Sequence, residues 1–345
     1  MSGTSLDGLD IAYCNFTFKN NSWEFSLLNA ETIAYTCELS NQLKNVAIGT
    51  ALELAMMHTA FGRYCADEVN KFVAKHNCKP TLIASHGQTI FHNPAKGYTT
   101  QIGCGATIAS LTGITTVCDF RTKDVALRGQ GAPLVPIADK YLFGNFTACL
   151  NLGGFANISF DADDKRIAFD ICAVNTIINY LCNKINIRFD KDGIISSSGE
   201  VNKILLNELN SLPYFKQLPP KSLGFEWINE FVNPIIEKHQ DSIENKLRTV
   251  YEHISQCIAD VLNIYSNNKT VLVSGGGAYN IFLVDLIKEK TTANILFADN
   301  PITEFKEAIA FAFLGVLRYY NNINTLKSVT GADTDSIGGA VYLAK

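Results

Sequence analysis

Apolar and polar residues alternate over residues 9–18, and residues 23–36 carry one or two further strand-like runs. KNNS between them reads as a hairpin turn, because Asn tolerates positive φ. Over residues 50–76 the period changes. Leu52, Ala55, Met56, Thr59, Gly62, Ala66, Val69 and Val73 recur at helical spacing, with Glu53, Arg63, Glu68 and Lys71 on the wetter side. One long amphipathic helix is expected there. TLIASHGQT then reads as a buried strand ending in a polar turn, and GITTVCDFR repeats that pattern after a short helix at 105–111. Pro133 and Pro136 after GQGA predict a glycine-rich loop that enters the first turn of a helix reaching about Phe143.

The second half repeats this order. TACLNLGG is a strand and glycine turn, FANISF returns, RIAFD is a third strand, and AVNTIINYLCNKI is a helix. VLVSGGG and NILFAD follow as strands separated by a helix, with another helix over 302–319. Strand–turn–strand–strand–helix, then strand–helix–strand–helix, therefore occurs twice, which points to an internal duplication. The copies differ at one place: residues 149–152 precede the glycine turn of the second, whereas only Met1 and Ser2 precede GTSLDG in the first. The first copy is thus expected to lack its first strand. Residues 199–264 form a largely helical insertion, broken by Pro213, Pro219 and Pro220, with helices starting near Gly224 and Ser242.

A chain of 345 residues is long enough for two domains, the arrangement that places ligands in a cleft. With 33 acidic against 29 basic residues, neither a nucleic-acid partner nor a disordered chain is expected, and a small ligand is. AIAFAFLGVLRYY is shorter than a membrane span, and the opening residues hold two aspartates and no basic run, so neither a membrane partner nor a secretory signal is expected. The ten cysteines show no CxxC or compact Cys/His set, which suits reduced thiols in the cytoplasm rather than a structural zinc.

Candidate chemistry sits at the strand ends. GTSLDG offers successive backbone donors and two hydroxyls to a phosphate; it lacks the GxxxxGK[ST] pattern, and a plain hairpin turn is the alternative. Gly153 with Gly154, and Gly275 to Gly277 with Asn280, follow apolar strands in the same way, so that three glycine-rich loops point to a nucleotide site or to close backbone packing at turns. Asp170 is open to two roles, capping of AVNTII or general base. Arg121 is the local candidate for planar contact with phosphate or carboxylate, against a rim ion pair. His86 reaches a sugar oxygen or pins its turn, and Glu307 faces a cleft or solvent.

Taken together, SGTSLDG, SHGQTIFHNP, QIGCGA with CDFRTKDVALRGQGAPLVP, NLGGFANISF, AFDICAVN, PPKSLG, VSGGGAYN, and FKEAIAFAFLG followed by VTGA resemble the anhydro-N-acetylmuramic acid kinase family, within the sugar kinase, Hsp70 and actin superfamily. The resemblance runs in order along almost the whole chain. CAVN stands where the family commonly has a Gly-Pro-Gly-Asn turn. The implied fold is α/β: a two-lobed actin-like ATPase built from duplicated RNase H-like domains. The first lobe would be residues 1–130 joined by 335–345, and the second 131–334, with the helical insertion around 199–264. The implied reaction uses ATP and Mg²⁺ to open the 1,6-anhydro bond of the amino sugar and phosphorylate O6, in a homodimer serving peptidoglycan recycling. By motif, Asp170 corresponds to the catalytic base. Gly3, Thr4, Ser5, Leu6, Asp7, Gly8, Leu9 and Asp10 correspond to the phosphate loop, with Asp7 at the metal, and Gly153, Gly154, Gly275, Gly276 and Asn280 are also implied at the nucleotide. His86, Arg121 and Glu307 correspond to the sugar and phosphate side. A kinase for a related amino or anhydro sugar, or a nucleotide-binding member without turnover, remains the alternative. A strand ahead of MSGTSLDG would pair in the middle of the first sheet, so either a missing preceding segment or a substitute segment is expected to complete it.

Overall fold

The alternating run folds as a long antiparallel ribbon, β1 (Gly8–Lys19) against β2 (Ser22–Ala34), turned by Asn20 and Asn21 at φ 50° and 60°. Residues 23–36 thus supply one strand, not two. The helix Ala51–His76 follows, and its start is set by a reciprocal capping box between Thr50 and Glu53. Phe61 and Ala66 on its inner face are fully buried. The structure, a computed structural model, describes residues 1–3 and 6–344.

Two compact units result, Met1–Leu142 with Phe305–Lys345, and Phe143–Glu304. The boundaries therefore fall at 142 and 305 rather than near 130 and 335. The physical reason is a shared core. Leu134 and Ile137, near and within the helix Pro136–Leu142, join Phe311, Phe313 and Leu314 of the helix Asn300–Tyr319 in one apolar cluster around Val117 and Phe120.

In the first unit the next strands are β3 (Ile83–Ala84), β4 (Gln88–Asn93), β5 (Tyr98–Ile102) and β6 (Thr116–Cys118). β3 runs parallel to β6, and β4 and β5 form a separate hairpin. The second unit holds β7 (Ala148–Leu152), β8 (Phe155–Ala162), β9 (Lys165–Ala173), β10 (Thr270–Ser274) and β11 (Asn294–Phe297). These form one sheet in the order β11-β10-β7-β8-β9, with β7 antiparallel to β8 and parallel to β10. Its apolar face packs under the helix Ile243–Tyr265, whose Leu247, Val250, Tyr251, Ile254, Ile258 and Leu262 are fully buried. β12 (Ala340–Tyr342) returns to the first unit and pairs antiparallel with β6.

The duplication is visible strand by strand, with one interruption. β8-β9 matches β1-β2, and β10 matches β3. In the second unit β7 lies between them; in the first, the sheets β1-β2 and β12-β6-β3 are separate, and among the described residues no strand joins β1 to β3.

Candidate active site

In the second unit, the functional groups gather where β7, β9 and β10 end. Asp170 lies inside β9, which continues to Ala173, and the helix Asn175–Asn183 has Val174 at its cap. Asp170 therefore caps nothing, and the capping alternative is withdrawn. The insertion fixes it instead. Leu223 N–H donates to Oδ2 at 2.9 Å, Asp170 N–H donates to Lys221 O at 3.3 Å, and the Tyr214 hydroxyl donates to Asp170 O at 2.6 Å. Among the described residues nothing donates to the second carboxylate oxygen, Oδ1. Burial raises the Asp170 pKa above the ordinary carboxylate value, and the Leu223 N–H partly opposes this. The result is a carboxylate with one oxygen anchored, one available, and a raised proton affinity.

The glycine turns around it divide by physical cause. Gly275 has φ 87°, and a Cβ there would meet Asn151 Oδ1 at 2.6 Å and Leu152 O at 2.8 Å; one on Gly277 would meet the Leu152 Cβ and O at 2.9 Å. Both glycines are demanded by packing against the end of β7. Gly276 differs, since the nearest atom to a Cβ there is Asn175 Nδ2 at 3.9 Å. Gly153 O accepts from Asn175 N–H at 3.2 Å and Gly154 O from Val174 N–H at 2.8 Å, so CAVN closes onto NLGG through its backbone. Asn280 is the cap of the helix Ile281–Lys290: Oδ1 accepts from Leu283 N–H, and Nδ2 donates to Tyr251 Oη at 2.7 Å and to Asp190 O at 3.3 Å. Both of its amide protons are engaged within the protein.

Two substitutions separate these roles. Gly275→Ala is expected to destabilise the fold by on the order of 1–3 kcal/mol through backbone strain and overlap. Gly276→Ala should leave the thermal unfolding temperature nearly unchanged and, on the expectation that this turn meets a nucleotide, weaken ATP binding roughly tenfold. Calorimetry of unfolding alongside nucleotide titration reads both.

In the first unit, Gly3 O accepts from Leu6 N–H at 3.3 Å, and Leu6 holds φ 56°, an unusual conformation for leucine. Thr4 and Ser5 lie outside the described residues. A Cβ on Gly8 would meet Ile33 O at 2.6 Å, so the exit of this loop is fixed by β2. Asp7 is exposed at that exit, Leu9 is buried, and Asp10 Oδ1 accepts from Thr32 Oγ1 at 2.6 Å.

His86, Arg121 and Glu307 form one cluster in this unit. His86 Nδ1–H donates to Gly87 O at 2.8 Å, leaving Nε2 to accept from Arg121 Nε at 3.0 Å and Nη2 at 2.9 Å. Arg121 Nη1 donates to Gly131 O at 2.6 Å, and its guanidinium lies over the Phe311 ring at 5.7 Å. Three of the five guanidinium N–H groups are thus spent on the protein, and two remain for a ligand. Burial lowers Arg121 to about 10, with Glu307 and Asp124 acting to raise it. Solvent reaches Glu307, yet the surrounding protein raises its carboxyl pKa, against the Arg121 charge. The rim ion-pair reading of Arg121 gives way to a half-buried, oriented cation.

Burial, followed by the Arg121 charge, drops His86 to about 3. Because the folded value lies below the unfolded one near 6.5, the native state gains from neutral His86 at pH above about 6.5 and loses that gain as pH falls toward the folded value. His86→Gln, which keeps an acceptor for Arg121, should flatten the loss of stability between pH 6.5 and 5 in urea unfolding. An unchanged slope would assign the pH dependence to other groups.

Residues 1–344 match the family model described as anhydro-N-acetylmuramic acid kinase. The chain belongs to this family. Similar curated proteins include the anhydro-N-acetylmuramic acid kinases of Sulfurimonas denitrificans, 34% identical over 99% of this chain and 98% of that one, and of Hydrogenovibrio crunogenus, 35% identical over 99% and 96%. Among solved structures, the activator of the 2-hydroxyisocaproyl-CoA dehydratase from Clostridium difficile with bound ADPNP shows 10% identity and a TM-score of 0.45, covering 90% of this chain and 96% of that one. Among the described residues, no helix is long and apolar enough to cross a membrane, and no three His, Cys, Asp or Glu side chains cluster as a metal cage.

Leu223 and Tyr214, which hold Asp170, were not among the sequence candidates. The signal for Leu223 was PPKSLG, a motif whose partner is invisible until the insertion folds back on β9; Tyr214 lies outside that motif, in the turn Pro213–Lys216.

Proposed function

We propose that the chain is an ATP-dependent kinase that opens 1,6-anhydro-N-acetylmuramic acid by adding water and phosphorylates O6, giving N-acetylmuramate 6-phosphate and ADP. Family membership supports the substrate class. The observation that carries the mechanism is the Asp170 carboxylate, anchored through Oδ2 and available at Oδ1. In this reading Oδ1 takes a proton from the water that forms the new bond to C1 as the C1–O6 bond breaks. The released O6 then bonds to the γ-phosphorus as the bond to the ADP oxygen breaks. The raised proton affinity of Asp170 brings it closer to the strength a base needs near neutral pH.

Gly276, with no neighbour demanding its lack of a side chain, suits close approach of a phosphate in the second unit. Residues 3–10 would present backbone donors in the first, and the two remaining Arg121 N–H groups suit a planar pair of oxyanion contacts. Mg²⁺ takes few protein carboxylates and leaves its other positions to phosphate and water, and Asp7, exposed at the exit of the loop, is the residue that would hold it. When bound, the ion offsets phosphate charge. Asn280, with both amide protons spent, is assigned a positioning role for the turn rather than a nucleotide contact. A cytoplasmic homodimer in peptidoglycan recycling completes this reading.

The test is mass spectrometry of products formed with ATP in ¹⁸O water, comparing anhydro-N-acetylmuramic acid with open N-acetylmuramic acid. A phosphorylated product carrying ¹⁸O at C1 from the anhydro sugar is expected. Phosphorylation of the open sugar alone would replace this reading with that of an ordinary amino-sugar kinase.

A further inference from the structure

The motifs RGQGA and VTGA, far apart in the chain, meet on one buried side chain. Asp124 lies in the short helix Thr122–Ala126 and is fully shielded from solvent. Both of its carboxylate oxygens accept hydrogen bonds. Oδ2 takes the Gly131 N–H at 2.7 Å, and Oδ1 takes the Thr330 hydroxyl at 2.7 Å, from 206 residues away. The Asp124 carbonyl accepts from Leu127 N–H at 3.0 Å and Gly129 N–H at 2.9 Å, so the chain turns tightly around this residue. Thr330 O accepts in turn from Gln130 N–H at 2.8 Å.

The glycines of RGQGA follow from this packing. A Cβ on Gly129 would overlap the Asp124 carboxylate, and one on Gly131 would meet Val125 Cγ2 at 2.8 Å. Residues 129–134 belong to no helix or strand, so no ladder holds the Gly131 carbonyl. Yet that carbonyl is the acceptor for Arg121 Nη1 at 2.6 Å. Arg121 and Asp124 stand three residues apart on one helical turn, which puts their side chains on the same side. Gly131 is thus gripped at both ends of its main chain, its N–H by the carboxylate and its C=O by the guanidinium.

We propose that Asp124 is a positioning residue for Arg121, holding Gly131 O where it aims the guanidinium fork, with Thr330 as the clasp that keeps Asp124 in place. This rests on the reading of Arg121 as a ligand-facing cation. Rotation is the motion being blocked. Arg121 Nε and Nη2 both donate to one atom, His86 Nε2, and a single acceptor leaves the guanidinium free to pivot about it. The bond from Nη1 to Gly131 O, at the other end of the plane, removes that pivot. A peptide unit bonded between a carboxylate and a guanidinium is polarised by both, which strengthens each bond in the chain. The Asp124 charge also opposes the burial that lowers Arg121.

Variants of the intact chain test the role. Asp124→Ala removes the acceptor and is expected to lower kcat/KM by up to about a hundredfold, the scale of a misplaced reacting group. Asp124→Asn keeps the arrangement: its amide oxygen accepts from Gly131 N–H, and its NH2 donates to Thr330 Oγ1, whose own proton reaches Leu326 O at 3.4 Å. It should lose less than about tenfold. In the Arg121→Lys background there is no fork to aim, so Asp124→Ala should cost less than about threefold there, a non-additivity that general loosening of the fold does not produce. NMR of the Arg121 Nε–H reads position without turnover: its exchange with water should be slow in the parent and in Asp124→Asn, and fast in Asp124→Ala. Thr330→Val, equal in shape, opens the clasp from its far side and should speed the same exchange; it carries the test if Asp124→Ala fails to fold. Unaltered Nε–H exchange in the folded variants, equal losses in Asp124→Asn and Asp124→Ala, or an undiminished loss in the Arg121→Lys background would each overturn the positioning role. Parental kcat/KM in Arg121→Lys alone, with Nε–H exchange responding as expected, would instead overturn the ligand-facing reading of Arg121.

Discussion

Asp170→Asn is expected to lower turnover of the anhydro sugar about 10²- to 10⁴-fold, the usual contribution of a positioned general base, while ATP affinity stays nearly as it was. The substitution is nearly isosteric, and the amide oxygen can still accept from Leu223 N–H, so the β9 backbone and its contacts with Tyr214 and Lys221 are retained. Only the ability to take a proton is lost. Stability supplies an independent sign. Because burial raises the folded-state pKa of Asp170, the native protein holds its proton more tightly than the unfolded chain does. Ionised Asp170 therefore costs stability at neutral pH, and the cost fades as pH falls through the folded value toward the ordinary carboxylate range. Asp170→Asn should unfold at the same or a higher temperature than the parent at pH 7, with the gap narrowing in acid. A helix cap would behave oppositely, its loss lowering the unfolding temperature. Undiminished product formation would remove Asp170 from the chemistry.

The acidic limb of the pH–rate profile follows from the same group. In the proposed role a base must be ionised, so activity is expected to fall as pH drops through the Asp170 value, which burial places above that of a free aspartate.

What could be read in the chain was local. Thr50 and Glu53 announce the helix Ala51–His76, Asn20 and Asn21 announce their turn, and Ser242 caps the helix Ile243–Tyr265, because capping and turn chemistry act over three or four residues. The repeated strand order was legible for the same reason, and with it the gap in the first copy. Long-range pairing was not legible. Leu223 is 53 residues from Asp170 and Tyr214 is 44, separations over which no periodicity extends. The glycines show a subtler limit: Gly275, Gly276 and Gly277 are identical letters, yet β7 crowds the outer two and leaves the middle one open. Asn280 read as a ligand contact because it follows those glycines, whereas the helix behind it claims its side chain. The boundary at 305 was hidden because one continuous helix, Asn300–Tyr319, serves both units.

Arg121→Lys is the second substitution with a large expected effect. Lysine keeps the charge but offers a single ammonium, which cannot reproduce a planar fork gripping His86 Nε2 on one side and Gly131 O on another while holding two N–H groups outward. If the lysine reaches the ligand, His86 Nε2 and Gly131 O lose their donor; a buried acceptor left unpaired costs about 1–3 kcal/mol. If it satisfies the protein instead, the ligand loses its oriented donors, and preorganised donors at developing charge are worth about 10²–10³ in turnover. Either way kcat/KM is expected to fall about a hundredfold or more, and thermal unfolding tells the two apart. His86→Gln separates positioning from charge. Its amide oxygen can accept from Arg121, so turnover should fall less than roughly tenfold, although the neutral ring and its contact with Phe311 are gone. Wild-type kcat/KM in Arg121→Lys would show that a point charge suffices and that the fork held by His86 and Gly131 serves the fold alone.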